Sequence, residues 1–295
     1  MTTLEQKFRA WTSPPSDNEE EKCERAIRMI KEAIAASNAL SARSITVFLQ
    51  GSYHNNTNVR NDSDVDVGVL CRDTFFCDLA EGQTAAGQGI DPATYSFSTF
   101  KADLKRALNE KFGAENVTPG NKAFDIKANT VRVDADVAPF FEHRRYSANG
   151  HYSVGVELHP DNGSPSRVIN WPEDHHRNGV SKNNQTGRRY KSVVRILKRL
   201  KNEMASKGID PADHIPGFLI ECLVWNVPNS VLSGDSYENM VKESLRFLYV
   251  NTEEYSSCSE WGEVSEFKYL FKGAQPWSYQ DANKFALSAW RYLGW

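Results

Sequence analysis

The sequence predicts a mixed α/β (α+β) protein in two parts, a sheet-centred lobe over residues 1–172 and a helical lobe over residues 173–295. Three observations predict it. Short apolar runs with strand-like patterning recur near 45–50, 65–70, 122–128, 131–141, 152–158 and 167–170. Beyond Trp171-Pro172 the periodicity turns helical and stays so, near 184–206, 215–226, 235–249 and 279–293. At 295 residues the chain is long enough for two domains, or one bilobed unit, with sizeable cores.

The elements follow in order. After Pro14-Pro15, Ser16-Asp17-Asn18-Glu19 offers a cap with acidic residues in the first turn. Cys23, Ala26, Ile27, Ile30, Ala33 and Ile34 then recur at helical spacing, marking an N-terminal spine helix that runs to Ala39. Ile45 to Gln50 reads as a strand entering a Gly-Ser turn, and Val65 to Leu70 as its neighbour. Residues 79–94, rich in Gly, Ala and Gln, read as a loop. Phe97, Phe100, Leu104, Leu108 and Phe112 mark a further amphipathic helix before the remaining strands.

The chemistry gathers at Gly51-Ser52 and at Asp64-Val65-Asp66. Side chains alternate along a strand, so Asp64 and Asp66 point the same way. Two like charges that close repel unless a cation lies between them. Hard oxygen ligands of this kind suit Mg²⁺, which is held by one or two carboxylates together with substrate phosphates. Gly51 lets the backbone approach a phosphate, and Ser52 can hydrogen-bond its oxygens. Most isolated Asp-x-Asp pairs are solvated, and some glycosyltransferases use one for a sugar nucleotide. Here the upstream Gly-Ser, the intervening loop and the flanking apolar strands favour a metal-bound nucleotide phosphate.

Phosphoryl transfer with two metals needs a further ligand. Val131 to Phe141 alternates so that Asp134 and Asp136 share one face and Val131, Val133, Ala135 and Val137 the other. Pattern alone does not separate the two aspartates, and an edge strand with a solvated polar face would look the same.

Gly51-Ser52, Asp64-Val65-Asp66 and Asp136-Val137-Ala138-Pro139 resemble the polymerase-β-type nucleotidyltransferases, and the strings Leu49-Gln50-Gly51-Ser52-Tyr53, Asp62-Ser63-Asp64-Val65-Asp66 and Asn183 to Lys191 resemble one clade among them. Within these the chain resembles the bacterial cGAS/DncV-like enzymes (CD-NTases), clade CdnE, over nearly its whole length. The resemblance implies a polymerase-β-like sheet lobe and a helical lobe flanking an active-site cleft. It implies template-free synthesis of a cyclic di- or trinucleotide messenger in CBASS antiphage defence. It also implies that Gln50, Gly51 and Ser52 meet the donor triphosphate, and that Asp64, Asp66 and Asp136 bind two Mg²⁺ ions, with Mn²⁺ an alternative. Asp136 is preferred over Asp134 because it opens the family's Asp-Val-x-Pro string.

Composition is consistent with free nucleotides as substrates. A net charge of −3 shows no strong basic field of the kind that nucleic-acid templates demand. Five scattered cysteines form no Cys-x-x-Cys pair, which argues against a disulfide framework or structural zinc. No signal-peptide pattern or transmembrane-length apolar run is visible, so the expected setting is cytoplasmic, without membrane contact, and the expected state a monomer.

The helix opening the second lobe carries an apolar arc of Tyr190, Val193, Val194, Leu197, Leu200 and Met204. A basic arc of Arg188, Lys191, Arg195 and Lys198 lies opposite. Such a run is usually a solvated face; a basic stripe also suits a triphosphate. The resemblance favours Lys198 as the donor-phosphate lysine, with Lys191 second. In Val168 to Pro172, Asn170 matches the position that reads a nucleobase edge in the family, where asparagine accompanies uridine-containing products. Its amide offers a donor and an acceptor complementary to uracil, although Asn also commonly caps turns. Phe218 is a weaker candidate for base stacking, since an aromatic in Phe218-Leu219-Ile220 is more often core. His54 and His175-His176 show no metal spacing, and His143, beside Glu142, reads as a structural or solvated lone histidine.

The reading is therefore a synthase that joins ATP and UTP into cyclic UMP-AMP for a downstream effector protein. Alternatives are other base choices, such as c-di-UMP or purine-only products, or transfer of a nucleotide to a protein, RNA end or small molecule. A binding-only sensor is disfavoured by the intact carboxylates.

Overall fold

The apolar runs of the first part pair into one seven-stranded sheet. The computed structural model describes residues 3–13, 17–59, 65–127, 134–273 and 275–295. Contacts divide the chain into two units. One comprises Ser16–Tyr53 and Asp64–Pro172; the other comprises Met1–Pro15, His54–Ser63 and Glu173–Trp295.

The chain opens with α1 (Leu4–Trp11), α2 (Asp17–Ala36), β1 (Ile45–Leu49), α3 (Gly51–His54) and β2 (Val65–Asp78). It continues through α4 (Phe97–Phe112), β3 (Val117–Pro119), β4 (Phe124–Ile126), β5 (Ala135–Tyr146), β6 (Tyr152–Leu158) and β7 (Val168–Asn170). Helices α5 (Pro172–Gln185), α6 (Tyr190–Ser206), α7 (Gly217–Asn226), α8 (Tyr237–Asn251), α9 (Tyr255–Cys258) and α10 (Tyr279–Tyr292) follow.

In the sheet unit the strand order is β1-β2-β5-β4-β3, with β6 pairing β5 and β7 pairing β6. Among the described residues only β2 and β5 run parallel. A parallel pair cannot be joined by a tight hairpin, and α4 lies in the crossover between them. Val65, Val67, Val69, Ala135 and Val137 turn one face of this pair onto α2 and α4, building a core with Ile30, Phe100, Leu104 and Leu108. On the other face the sheet carries aspartates at its start and then a small cluster of Leu70, Ala138, Phe140, Val156 and Leu158. Gly68 keeps that face close-packed: a Cβ there would lie 2.2 Å from the Phe48 ring.

The helical unit encloses α6. Tyr190, Val193, Val194, Ile196, Leu197, Leu200 and Met204 are all 0 % exposed, packed with apolar residues of α7, α8 and α10. The helix expected over 184–206 is two helices. Gly187 and Arg188 adopt left-handed φ values of 57° and 65°, breaking the chain between α5 and α6. Most of α5 escaped the sequence reading because it carries few apolar residues. Helix α1 and strand β3 were also not foreseen; both are short, and α1 starts at a capping box on Thr3. The 79–94 segment is irregular apart from a single 3₁₀ turn at Ala86–Gln88. The expected cap at Ser16 lies outside the described residues.

Candidate active site

Asp66 on β2 and Asp136 on β5 are register partners across the parallel ladder. Their flanking residues Val65, Val67, Ala135 and Val137 are buried, whereas both aspartates are partly exposed. The pleat therefore sends both carboxylates to the face opposite the main core, on strands about 4.8 Å apart. Asp64 lies outside the described residues, as do 131–133 of the strand expected there. Asp134 is exposed just ahead of β5, and its carbonyl accepts a hydrogen bond from Val65 N at 3.0 Å.

The Gly-Ser turn meets this pair directly. Strand β1 ends as Gln50 N donates to the Asp66 carbonyl at 3.0 Å. Gly51 then takes φ 66° and opens α3. A Cβ at residue 51 would stand 1.9 Å from Asp66 Oδ2, so the absent side chain is what gives the carboxylate its place. Gly51 is exposed and Ser52 half-buried. Two carboxylates on adjoining strands, beside an exposed glycine turn, form a hard-oxygen donor set that fits a divalent cation. Asp125 on β4 pairs with Asp136 from the other side and is exposed between buried Phe124 and Ile126. It extends the acidic row to a third strand and was not singled out from the sequence, although Phe-Asp-Ile alternation was its signal.

In the helical unit the expected basic arc divides: Arg188 is exposed in the break before α6, whereas its three cations on α6 are not a solvated face. Lys191, Arg195 and Lys198 are 8 %, 7 % and 6 % exposed. Arg195 is committed to backbone carbonyls, with Nε donating to Thr12 O at 2.7 Å and Nη1 to Asn56 O at 2.5 Å. Lys198 Nζ donates to Thr57 Oγ1 at 3.2 Å and to Glu221 Oε2 at 3.3 Å. Glu221 also accepts from Thr57 Oγ1 at 2.7 Å and pairs with His175 Nε2 at 2.9 Å. Burial raises the Glu221 carboxyl, but Lys198, His175 and Thr57 outweigh it and hold it at about 2. Burial lowers the Lys191 ammonium, partly opposed by Glu221 and reinforced by Arg195.

Phe218 is 39 % exposed while Leu219 and Ile220 beside it are fully buried, so it is not core. Its ring lies 5.7 Å from His175 and 5.8 Å from Trp277. His54 and His176 lie with ring centroids 4.1 Å apart, tilted by 30°, and burial lowers both imidazoles. Sequence reasoning missed Thr57 and Glu221 and gave His175 no role; the partners of Glu221 stand 23, 46 and 164 residues away, beyond any local pattern.

Asn170 ends β7, paired with Val156, and is half-buried. Trp171 is buried against His143, with the Arg145 guanidinium 4.3 Å over its ring. Gly155 makes room for this corner: a Cβ there would lie 2.7 Å from Asn170 O and 2.9 Å from Trp171 Nε1. Away from these groups, Asp210, Asp213 and His214 form an exposed trio with metal-ligand spacing. Nothing else there points to an ion.

A nucleotidyltransferase is the class that this sheet, turn and carboxylate pair define. Residues 177–294 match the model of the cGAS/DncV-like nucleotidyltransferase C-terminal helical domain. The cyclic dipyrimidine nucleotide synthase CdnE of Cecembia lonarensis is 42 % identical over 290 residues, 98 % of each chain. The enzyme of the same name from Legionella pneumophila is 44 % identical over 293 residues, 98 % of this chain and 97 % of its own. The structure of Rhodothermus marinus CdnE c-UMP-AMP synthase with Apcpp and Upnpp superposes with a TM-score of 0.86 at 28 % identity, covering 99 % of this chain and 97 % of that one. The chain belongs to the cGAS/DncV-like nucleotidyltransferases, as a CdnE-type cyclic dinucleotide synthase. Among the described residues no helix is long and apolar enough to cross a membrane.

Proposed function

We propose that this synthase makes a uridine-containing cyclic dinucleotide for antiphage signalling to an effector that senses the product. The observation that supports the reaction best is the Asp66–Asp136 register beside side-chain-free Gly51. Asp66 and Asp136, with Asp64 as the expected third ligand, would hold Mg²⁺. Bound there, Mg²⁺ would supply charge neutralisation of the triphosphate and a lowered pKa for the acceptor ribose hydroxyl.

The chain's own groups bind and orient. Gly51 leaves backbone room for a phosphate, and the Ser52 hydroxyl can donate to its oxygens. Lys198 has three N–H donors, of which Thr57 and Glu221 take two, so one serves the donor phosphates. Lys191 adds a second buried positive charge on the same helix. Phe218 offers an exposed ring to a base, and the Asn170 amide reads the uracil edge. In the first transfer a ribose hydroxyl bonds to the α-phosphorus of the donor and pyrophosphate leaves. A second such transfer closes the ring and releases a second pyrophosphate.

Asn170 supports uridine in one position. For the second, both CdnE relatives at 42 % and 44 % identity carry the dipyrimidine name, which favours a cyclic dipyrimidine as first reading. Cyclic UMP-AMP, the product expected from sequence, is the second reading, favoured by the Rhodothermus structure. Incubation with UTP alone, then with UTP and ATP together, followed by phosphatase and mass spectrometry, separates them. A phosphatase-resistant product from UTP alone, unchanged by ATP, supports the dipyrimidine. A product that needs both nucleotides supports cyclic UMP-AMP, and a product without uridine contradicts both.

A further inference from the structure

We infer that Glu221 is a positioning residue, a buried carboxylate that sets the Lys198 ammonium for the triphosphate. The inference rests on the reading of Lys198 as a phosphate contact and adds the group that makes that contact possible.

Glu221 is 3 % exposed on α7, flanked by Leu219, Ile220, Cys222, Leu223 and Val224, all fully buried. A carboxylate in such surroundings needs partners for its charge, and it has three. Oε1 faces His175 Nε2 at 2.9 Å, and Oε2 accepts from Thr57 at 2.7 Å and from Lys198 at 3.3 Å. Thr57 closes a triangle, because its hydroxyl donates to Glu221 while accepting from Lys198 at 3.2 Å. The long lysine side chain is thereby held at two points instead of sampling its rotamers.

Stability alone does not account for this arrangement. A buried ion pair is often no better than well-packed apolar residues at holding helices together. What distinguishes this one is that it holds Lys198 beside the first residues of α7. A Cβ on Gly217 would lie 3.5 Å from Lys198 Cε, so the side-chain-free start of α7 runs alongside the lysine. The next residue is exposed Phe218, packed against the same His175 that Glu221 holds. One carboxylate thus helps fix a cation beside an exposed aromatic ring, and the bonds to Glu221 and Thr57 leave Lys198 one N–H for a phosphate oxygen.

The test uses inorganic tripolyphosphate with Mg²⁺, a probe without a base, titrated calorimetrically into the full chain. Thermal unfolding of each variant is recorded alongside. Lys198→Gln should weaken binding by about tenfold, the loss of one charge-assisted contact. Glu221→Gln should weaken it similarly, and the double variant should be no weaker than Lys198→Gln alone, because Glu221 acts through the lysine. Additive losses, or a folded Glu221→Gln that binds within about twofold of the parent, would overturn the inference while leaving Lys198 in place. Should Lys198→Gln itself bind like the parent, the underlying reading falls, and the inference with it. If Glu221→Gln does not fold, Thr57→Val decides. A loss of binding absent in the Lys198→Gln background supports positioning, and unchanged binding refutes it.

Discussion

Residue 51 and Asp66 share one space: a Cβ on residue 51 would lie 1.9 Å from Asp66 Oδ2, and φ at Gly51 is 66°. The glycine is therefore required twice, for the left-handed backbone and for the carboxylate. Gly51→Ala should lower synthesis at least about 100-fold by displacing Asp66. It should cost only about 1–2 kcal/mol in stability for the backbone conformation. Steady-state rates and a thermal melt check this; a folded variant with near-parental activity would contradict it.

Gly155 has the same relation to the corner at Asn170 and Trp171. Its Cβ would strike Asn170 O and Trp171 Nε1, and backbone at 2.7 Å cannot yield as a flexible side chain can. Gly155→Ala should destabilise by about 1–3 kcal/mol and loosen base choice. Asn170→Ala should reduce the preference for UTP over CTP by roughly tenfold, the worth of a paired base edge. Competition assays with paired nucleotides measure both.

Lys182 gives a pH signature unrelated to catalysis. It is buried, its Nζ donates to Val227 O at 2.8 Å, and burial lowers its pKa to about 8. In the unfolded chain a lysine titrates near 10.4, so below about pH 8 both states carry the proton and the burial penalty is complete. Between about pH 8 and 10.4 the unfolded state binds more protons than the folded state, and stability rises with pH. Relative to Lys182→Met, the parent should gain stability across that window and be flat below it, as denaturant unfolding at a pH series would show. A constant difference from pH 7 to 10 would count against it.

These cases show why some of the design could be read in the sequence. Asp66 and the Asp134/Asp136 pair announce themselves because strand alternation is local: a carboxylate between apolar residues must leave the buried face, whereas the choice of Asp136 over Asp134 needed the family's Asp-Val-x-Pro string. The strands at 45–49 and 152–158 and helix α4 at 97–112 were legible for the same reason. Helix α5 was not, because a helix that buries chiefly His175, Gly179 and Lys182 carries no apolar stripe. The basic arc of α6 was visible, but its burial was not. Only the fold could show that Arg195 is bound to carbonyls of Thr12 and Asn56, or that Lys198 meets a glutamate 23 residues later.

Synthesis by the parent and by Asp136→Asn tests the account most directly. Each is incubated with the four ribonucleoside triphosphates and Mg²⁺, and products are identified by mass spectrometry after phosphatase. The parent should yield a uridine-containing cyclic dinucleotide that disappears when Mg²⁺ is chelated. Asp136→Asn should yield at least about 1,000-fold less while melting at the same temperature or higher, since a like charge beside Asp66 has been removed. Undiminished product from folded Asp136→Asn would contradict the assignment of this carboxylate pair.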